Sequence, residues 1–327
     1  MKTILNFTLA IVLILAVSCS TKKDQNAEEG GTLKGRVSIS GAFALYPLAN
    51  VWAEEFNKLY PDVRINISAG GAGKGMADAL SGAADLGMFS REITPAEVDK
   101  GVWWVGVAKD AVLPTINAQN PELATIKEKG LTQEAFRKIF ITQDVKTWGK
   151  ALGNNSQEKI GVYTRSDAAG AAATWAQYLG ASGQEELKGV GVFGDPGLAD
   201  AVRKDKNGIG FNNVIYVYDL ETGKKYPGID VVPIDINEDG IINADEKVYD
   251  NIDAIITAIG EGKYPSPPAR ELYFVSKGKP ENVAALRFLE WVLTKGQKYV
   301  GQAGYIQLSQ EKINRELKKL NDNESAQ

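Results

Sequence analysis

Three separated segments of this chain each read as a glycine- or alanine-rich turn that opens a helix. They are Ser40-Gly41-Ala42-Phe43-Ala44-Leu45-Tyr46-Pro47, Gly70-Gly71-Ala72-Gly73-Lys74-Gly75 and Arg165-Ser166-Asp167-Ala168-Ala169-Gly170-Ala171. The first turn of a helix leaves backbone N–H groups without partners and carries the positive end of the helix dipole. Three such starts meeting at one point make a cradle for an anion. Residues without bulky side chains let the anion approach the main chain. The pattern predicts capture of an oxyanion without metal or covalent chemistry, although the loops are short of the hydroxyls that an oxyanion site ordinarily uses.

The chain has no histidine, which removes Ser-His-Asp and Cys-His catalysis and the usual zinc sites. We therefore expect a binding protein and not an enzyme. The formal net charge of −4 argues against nucleic acid or an anionic membrane surface as a partner, whereas a small anion responds to local dipoles and a single arginine. The 327 residues suffice for two lobes of ordinary domain size, and a monomer is expected.

Cys19 is the one cysteine, so no intramolecular disulfide can form. Before it, Lys2 precedes an apolar run from Ile4 to Val17, too short for a comfortable membrane span and of the length of a signal-peptide core. Ala16-Val17-Ser18-Cys19 resembles a bacterial lipobox. That resemblance implies a signal peptide over 1–18, lipid on Cys19, and a protein held in the periplasm or cell envelope through its lipid alone. A plain secretory signal with an incidental cysteine is the other reading. Residues 19–32 are polar and read as a tether, and 321–327 as a disordered tail.

From Leu33 onward the periodicity alternates between strand and helix. Arg36–Ser40, Val63–Ile67 and Ala84–Met88 read as strands, separated by a helix over Leu45–Tyr60 and a short helix through Met76 and Leu80, a βαβαβ succession that argues for a parallel α/β sheet. Val102–Val107 and Ala111–Ile116 read as consecutive strands that cross into a second lobe. Further along the chain, strands are expected at Ile160–Tyr163, after Gly208–Phe211, at Tyr216–Tyr218 and at Arg270–Val275. Helices are expected at Thr132–Phe140, Ala171–Leu179, Leu198–Arg203 and Val283–Thr294.

The ordered landmarks resemble the solute-binding proteins of high-affinity phosphate ABC transporters. The residues that carry this are Ile39-Ser40-Gly41 with Leu45-Tyr46-Pro47-Leu48, Gly70–Gly75 with Ala84–Glu92, Ile139-Phe140 with Thr147-Trp148 and Leu152-Gly153, and Arg165-Ser166-Asp167 with Gly170. Later landmarks are Gly208–Phe211, Tyr264-Pro265, Gly296-Gln297-Lys298 and Gly304–Leu308. The resemblance implies a two-lobed type II periplasmic-binding-protein fold of α/β class, each lobe a mixed, mostly parallel sheet flanked by helices, with a cleft between. Lobe I would comprise 33–110 and 266–320, and lobe II 111–265. It further implies phosphate or a related small anion as ligand and an ABC transporter permease as partner. The ligand positions carried over are Ala42, Phe43, Ala44, Gly71, Ala72, Gly73, Ser90, Arg91, Arg165, Ala169, Gly170 and Ala171. Family members use Ser and Thr hydroxyls, backbone N–H groups and one arginine. Here Ala42-Phe43, Ala72, Ala169 and Ala171 stand where hydroxyls are usual. Three outcomes stay open: a weaker phosphate binder, a different small solute, or a structural or interaction lipoprotein outside transport. Arg165 is the best single ligand candidate, because a guanidinium grips an oxyanion with two hydrogen bonds; a salt bridge to Asp167 or another carboxylate is its alternative role.

A second motif is independent of that resemblance. Asp235-Ile236-Asn237-Glu238-Asp239-Gly240-Ile241-Ile242-Asn243-Ala244-Asp245-Glu246 fits the twelve-position calcium loop of EF-hands. Asp235, Asn237 and Asp239 would offer side-chain oxygens, Ile241 its carbonyl, Asn243 a water-mediated contact and Glu246 both carboxylate oxygens. Gly240 would permit the sharp turn, and Ile242 would pack inward. With a strand over Val231–Ile234 before it and a helix over Val248–Ile259 after it, the expectation is a strand-loop-helix Ca2+ site that pins an insertion at 235–246 in lobe II. An acidic surface turn is the alternative.

Overall fold

The computed structural model describes residues 33–322. The expected signal peptide, Cys19, the tether and residues 323–327 of the expected tail lie outside the described residues; Asn321, expected to begin that tail, instead closes the helix Gln310–Asn321. The described residues form nine strands: β1 (Gly35–Gly41), β2 (Val63–Ala69), β3 (Leu86–Phe89), β4 (Val102–Asn117), β5 (Gly161–Arg165), β6 (Val190–Val192), β7 (Gly208–Asn213), β8 (Ile229–Val231) and β9 (Ala269–Lys277). One mixed sheet runs in the order β2-β1-β3-β9-β4-β7-β5-β6, with β8 beside β4. Parallel pairs build the outer part of each lobe, β1 with β2 and β3, and β5 with β6 and β7. The antiparallel strands β4 and β9 join the lobes.

The two strands expected over 102–116 are one. β4 runs unbroken for 16 residues, with a register shift against β9 between Gly106 and Ala108. The polar pair Lys109-Asp110 suggests a break in the sequence. Asp110 instead stays inside the strand because Arg270, opposite it on β9, neutralises it at 2.9 Å. The hydrophobic core divides along β4. Val105, Val107 and Ala108 pack with β1, β3 and the helices Tyr46–Leu59 and Val283–Leu293, whereas Ala111 to Ile116 pack with β7, β8 and the helices Gln133–Phe140 and Gly170–Tyr178. Two cores on one continuous sheet make two lobes.

The glycine run is not a loop ahead of a helix; the helix begins at Ala72 and takes Gly73 and Gly75 into its first turns. Glycine inside a helix costs about 1 kcal/mol relative to alanine. It is required at 75, where a Cβ would lie 2.5 Å from the Met88 carbonyl and 2.9 Å from Gly41 Cα. The helix therefore rests directly on β1 and β3, which fixes where its N-terminus points. Tyr216–Tyr218 is not a strand. Val214–Tyr216 forms a single 3-10 turn, closed by bonds from the Val217 and Tyr218 amides to the Val214 carbonyl. Its Ile215 packs into the lobe I core. The helix expected from Val248 starts at Ile252, because the Asn251 side chain caps the Ala254 amide.

Candidate functional site at the lobe boundary

The first two turns leave the carboxyl ends of β1 and β2, and the third leaves that of β5, the end of an α/β sheet where ligands bind. Folding brings them together. Ala42, Phe43, Ala44, Gly71, Ala72, Ser90, Arg165, Ala169, Gly170 and Ala171 line one narrow seam, with Asp195 and Asn213, that is too tight to admit a water molecule. The lobes touch across it. The Gly73 amide donates to the Ala168 carbonyl at 2.9 Å, and the Tyr216 hydroxyl donates to the Phe43 carbonyl at 2.9 Å. Gly170 lies so close to the Ser90 hydroxyl that a Cβ would collide with it.

Several first-turn amides are engaged. Ala42 donates to Met88, Gly71 to Gly41 and Ala169 to the Gln184 side chain. Among the described residues, the amides of Phe43, Ala44, Ala72, Gly170 and Ala171 have no protein acceptor. Five unpaired donors at one boundary supply the kind of main-chain groups that can hold an anion.

Arg165 sits at the centre and is almost fully enclosed, its side chain 1% exposed. Nε and Nη2 hold both oxygens of Asp167 at 2.8 and 2.6 Å, and Nη1 holds Asp195 at 2.5 Å. Three of its five N–H groups are thereby spent, leaving two for a ligand. Burial works against the guanidinium charge, but the Asp195 and Asp167 carboxylates outweigh it and raise its pKa. The ion-pairing role foreseen for Arg165 is therefore filled by two carboxylates, and it is not a free cation. The network continues from Asp195 through Asn213 at 2.8 Å to Arg270, which pairs with Asp110. Burial pushes the Asp110 carboxyl up, against the pull of Arg270.

Two expected positions lie outside this set. The Arg91 guanidinium lies over the Phe89 ring at 4.5 Å and is held by Glu97 at 2.7 and 3.0 Å and by the Glu92 carbonyl. Gly73 gives its amide to Ala168 and serves the contact between lobes. Sequence reasoning missed Asp195, although Gly194-Asp195-Pro196 opens the helix Gly194–Lys204 with an acidic residue and a proline, a readable helix start. Asn213 carried no such signal. Phe43 crosses the boundary. Its ring meets Phe193 edge-on at 5.8 Å, lies 5.5 Å from the Arg165 guanidinium carbon, and rests on Gly194, where a Cβ would come within 3.0 Å of it.

The 235–246 segment is far from this boundary in character. Asp235 and Glu246 are buried at 2% and 6% exposure, while Asn237, Asp239, Ile241 and Asn243 are exposed. The Gly240 amide donates to Asp235 Oδ2 at 2.9 Å. Glu246 reaches back to accept from the Ile236 and Asn243 amides at 2.7 and 2.9 Å. Ile242 is buried and packs against Gly130, and its amide donates to the Glu128 carbonyl.

A two-lobed sheet with a donor-lined boundary defines a solute-binding type of protein, and no described helix is long and apolar enough to cross a membrane. Residues 26–295 match the PBP superfamily domain, and the chain belongs to that superfamily. It is 28% identical to the phosphate-binding protein PstS of Pseudomonas aeruginosa over 90% of this chain and 89% of that one. It is 30% identical to PstS of Bacillus subtilis over 58% and 62%. Among solved structures, a Clostridium perfringens protein crystallised with bound phosphate superposes with a TM-score of 0.68 at 24% identity, over 84% of this chain and all of that one. An ABC-type phosphate transport receptor from Vibrio cholerae gives 0.61 at 20% identity, over 84% and 100%.

Proposed function

We propose that this chain is the solute-binding component of an ABC importer, held in the cell envelope by lipid on Cys19, and that it captures inorganic phosphate between its lobes. The observation that carries this reading is the convergence of three helix starts, with five unpaired amides, on the two remaining N–H groups of Arg165. The relatives named phosphate-binding proteins support the choice of ligand. Because Asp167 and Asp195 already balance Arg165, a net positive charge is not what attracts the anion. Oriented main-chain dipoles in a dry space supply the stabilisation. The same carboxylates suit an oxyanion that still bears a proton, which can donate to them, over fully ionised sulfate, which cannot. Closure of the lobes over the ligand gives the permease a distinct shape to dock.

The Phe43 ring and the alanines favour one second reading, a different small solute. A hydrogen bond to a charged group is worth about 1.5–3 kcal/mol, so each missing hydroxyl weakens a phosphate site appreciably. Isothermal titration of the unlipidated protein, freed of carried-over ligand by unfolding and refolding, separates the two. Phosphate is expected to bind at micromolar concentration or below and sulfate much more weakly. A folded protein that gives no heat with phosphate would overturn the phosphate reading and leave the second.

A further inference from the structure

The 235–246 segment has no part in the cleft, and its chemistry is the inverse of it. We propose that it is a Ca2+ site. Asp235 is 98% buried by its 2% exposure, and its Oδ1 is a buried oxygen with no hydrogen-bond partner among the described residues. The other oxygen of that carboxylate is tied across the loop to the Gly240 amide, which fixes the carboxylate beside the loop backbone. Leaving a carboxylate oxygen dry and unpaired is costly unless a cation meets it. No ion pair among the described residues involves Asp235, Asp239 or Glu246. Two carboxylates, Asp235 and Glu246, are thus buried in one short loop with no ion-pair partner among the described residues; Lys129 lines the same small space as Asp235 and Gly240 without pairing to them.

The surroundings select the cation. The side chains are all oxygen donors with no sulfur or imidazole, which suits a hard ion. Six or more oxygens on a flexible loop of this spacing suit Ca2+ better than the small and rigidly octahedral Mg2+. The frame is already anchored: Asp235 donates its amide to the Leu131 carbonyl, Ile234 pairs with Leu131, and Ile242 donates to Glu128. The exposed part is Asp239. Among the described residues no three acidic side chains converge closely enough to hold an ion. The exposed Asp239 carboxylate instead accepts from the Asn237 and Asn243 side chains and the Ile241 amide. Binding requires Asp239 to give up some of these bonds and turn toward Asp235 Oδ1. The ion then locks the loop to the Glu128–Leu131 segment of lobe II and leaves the cleft residues where they are.

The test is titration of CaCl2 into the chelator-treated protein by calorimetry, with MgCl2 alone as comparison. Tyrosine-sensitised Tb3+ luminescence gives a second readout, since Tyr249 accepts the Ile234 amide next to the loop. One Ca2+ per chain is expected, with Kd about 10⁻⁴–10⁻³ M as for extracellular modules, Mg2+ weaker, and Tb3+ emission displaced by Ca2+. Asp235→Asn and Glu246→Gln should each weaken Ca2+ at least tenfold without changing phosphate titration. Absence of Ca2+ heat and Tb3+ emission from the folded wild-type protein would overturn the proposal. So would Ca2+ affinity unchanged in both folded variants. Should the variants fail to fold, the wild-type titration and the Tb3+ displacement decide alone.

Discussion

The cleft and the 235–246 loop pose opposite problems with the same groups. At the cleft, the ion pairs are complete and main-chain donors are left over: Arg165 is matched by Asp167 and Asp195, while five nearby amides lack acceptors. In the loop, amides are paired to carboxylates and an acceptor is left over, Asp235 Oδ1. Surplus donors call for an anion and surplus acceptors for a cation. What a site attracts is decided by the group left unpaired after folding, and not by the count of charged residues in its neighbourhood.

Removing the cation that completes the cleft is the strongest way to break this contrast. Arg165→Ala leaves Asp167 and Asp195 buried without a partner, and breaking a buried pair this way costs about 3–5 kcal/mol. Urea unfolding should show that loss, and calorimetry should show phosphate binding abolished. A near-wild-type midpoint would mean that the two carboxylates are not held as buried ions. Ala171→Ser sharpens the contrast by returning a hydroxyl to the donor-lined space. One added hydrogen bond to a charged ligand, at about 1.5 kcal/mol, should tighten phosphate roughly tenfold, and an unchanged Kd would place the ligand away from residue 171.

Chelation probes the other region. With Ca2+ at about ten times its Kd, its removal should lower stability by about 1.4 kcal/mol. Melting curves with and without chelator should differ by a few degrees in the wild type and coincide in Asp235→Asn. The smallest effect comes from a group outside both sites. Burial works against the Asp230 carboxylate, but Lys225 and Lys127 outweigh it and hold its pKa below 3.8. A carboxylate depressed in the folded state adds stability above its unfolded value, and loses it as pH falls through the folded one. Stability should thus drop below pH 3.8, and Asp230→Asn should flatten that acid limb in pH-dependent urea titrations.

Much of this was readable in advance, for local reasons. The strands and helices follow largely from periodicity, and the calcium-loop spacing could be read because its positions are contiguous. Other features depended on distant contacts. Glu97 closes a capping box with Thr94, three residues apart and legible in the sequence, yet its capture of Arg91, which removes that residue from the cleft, is visible only once both are folded. The single strand β4 could not be told from two, because nothing near Asp110 announces Arg270, 160 residues away.

The sequence by itself determined most of the helical and strand segments, which turns are glycine- and alanine-rich, and that one twelve-residue stretch carries calcium-loop spacing. These depend on backbone sterics and on side chains within a few positions of one another. The tertiary structure alone decided that Arg165 is shared between Asp167 and an Asp195 thirty residues along, that Phe43 crosses to the opposite lobe, and which amides end without an acceptor. Pairing is a competition among all groups brought into contact, and most of those groups come from distant parts of the chain.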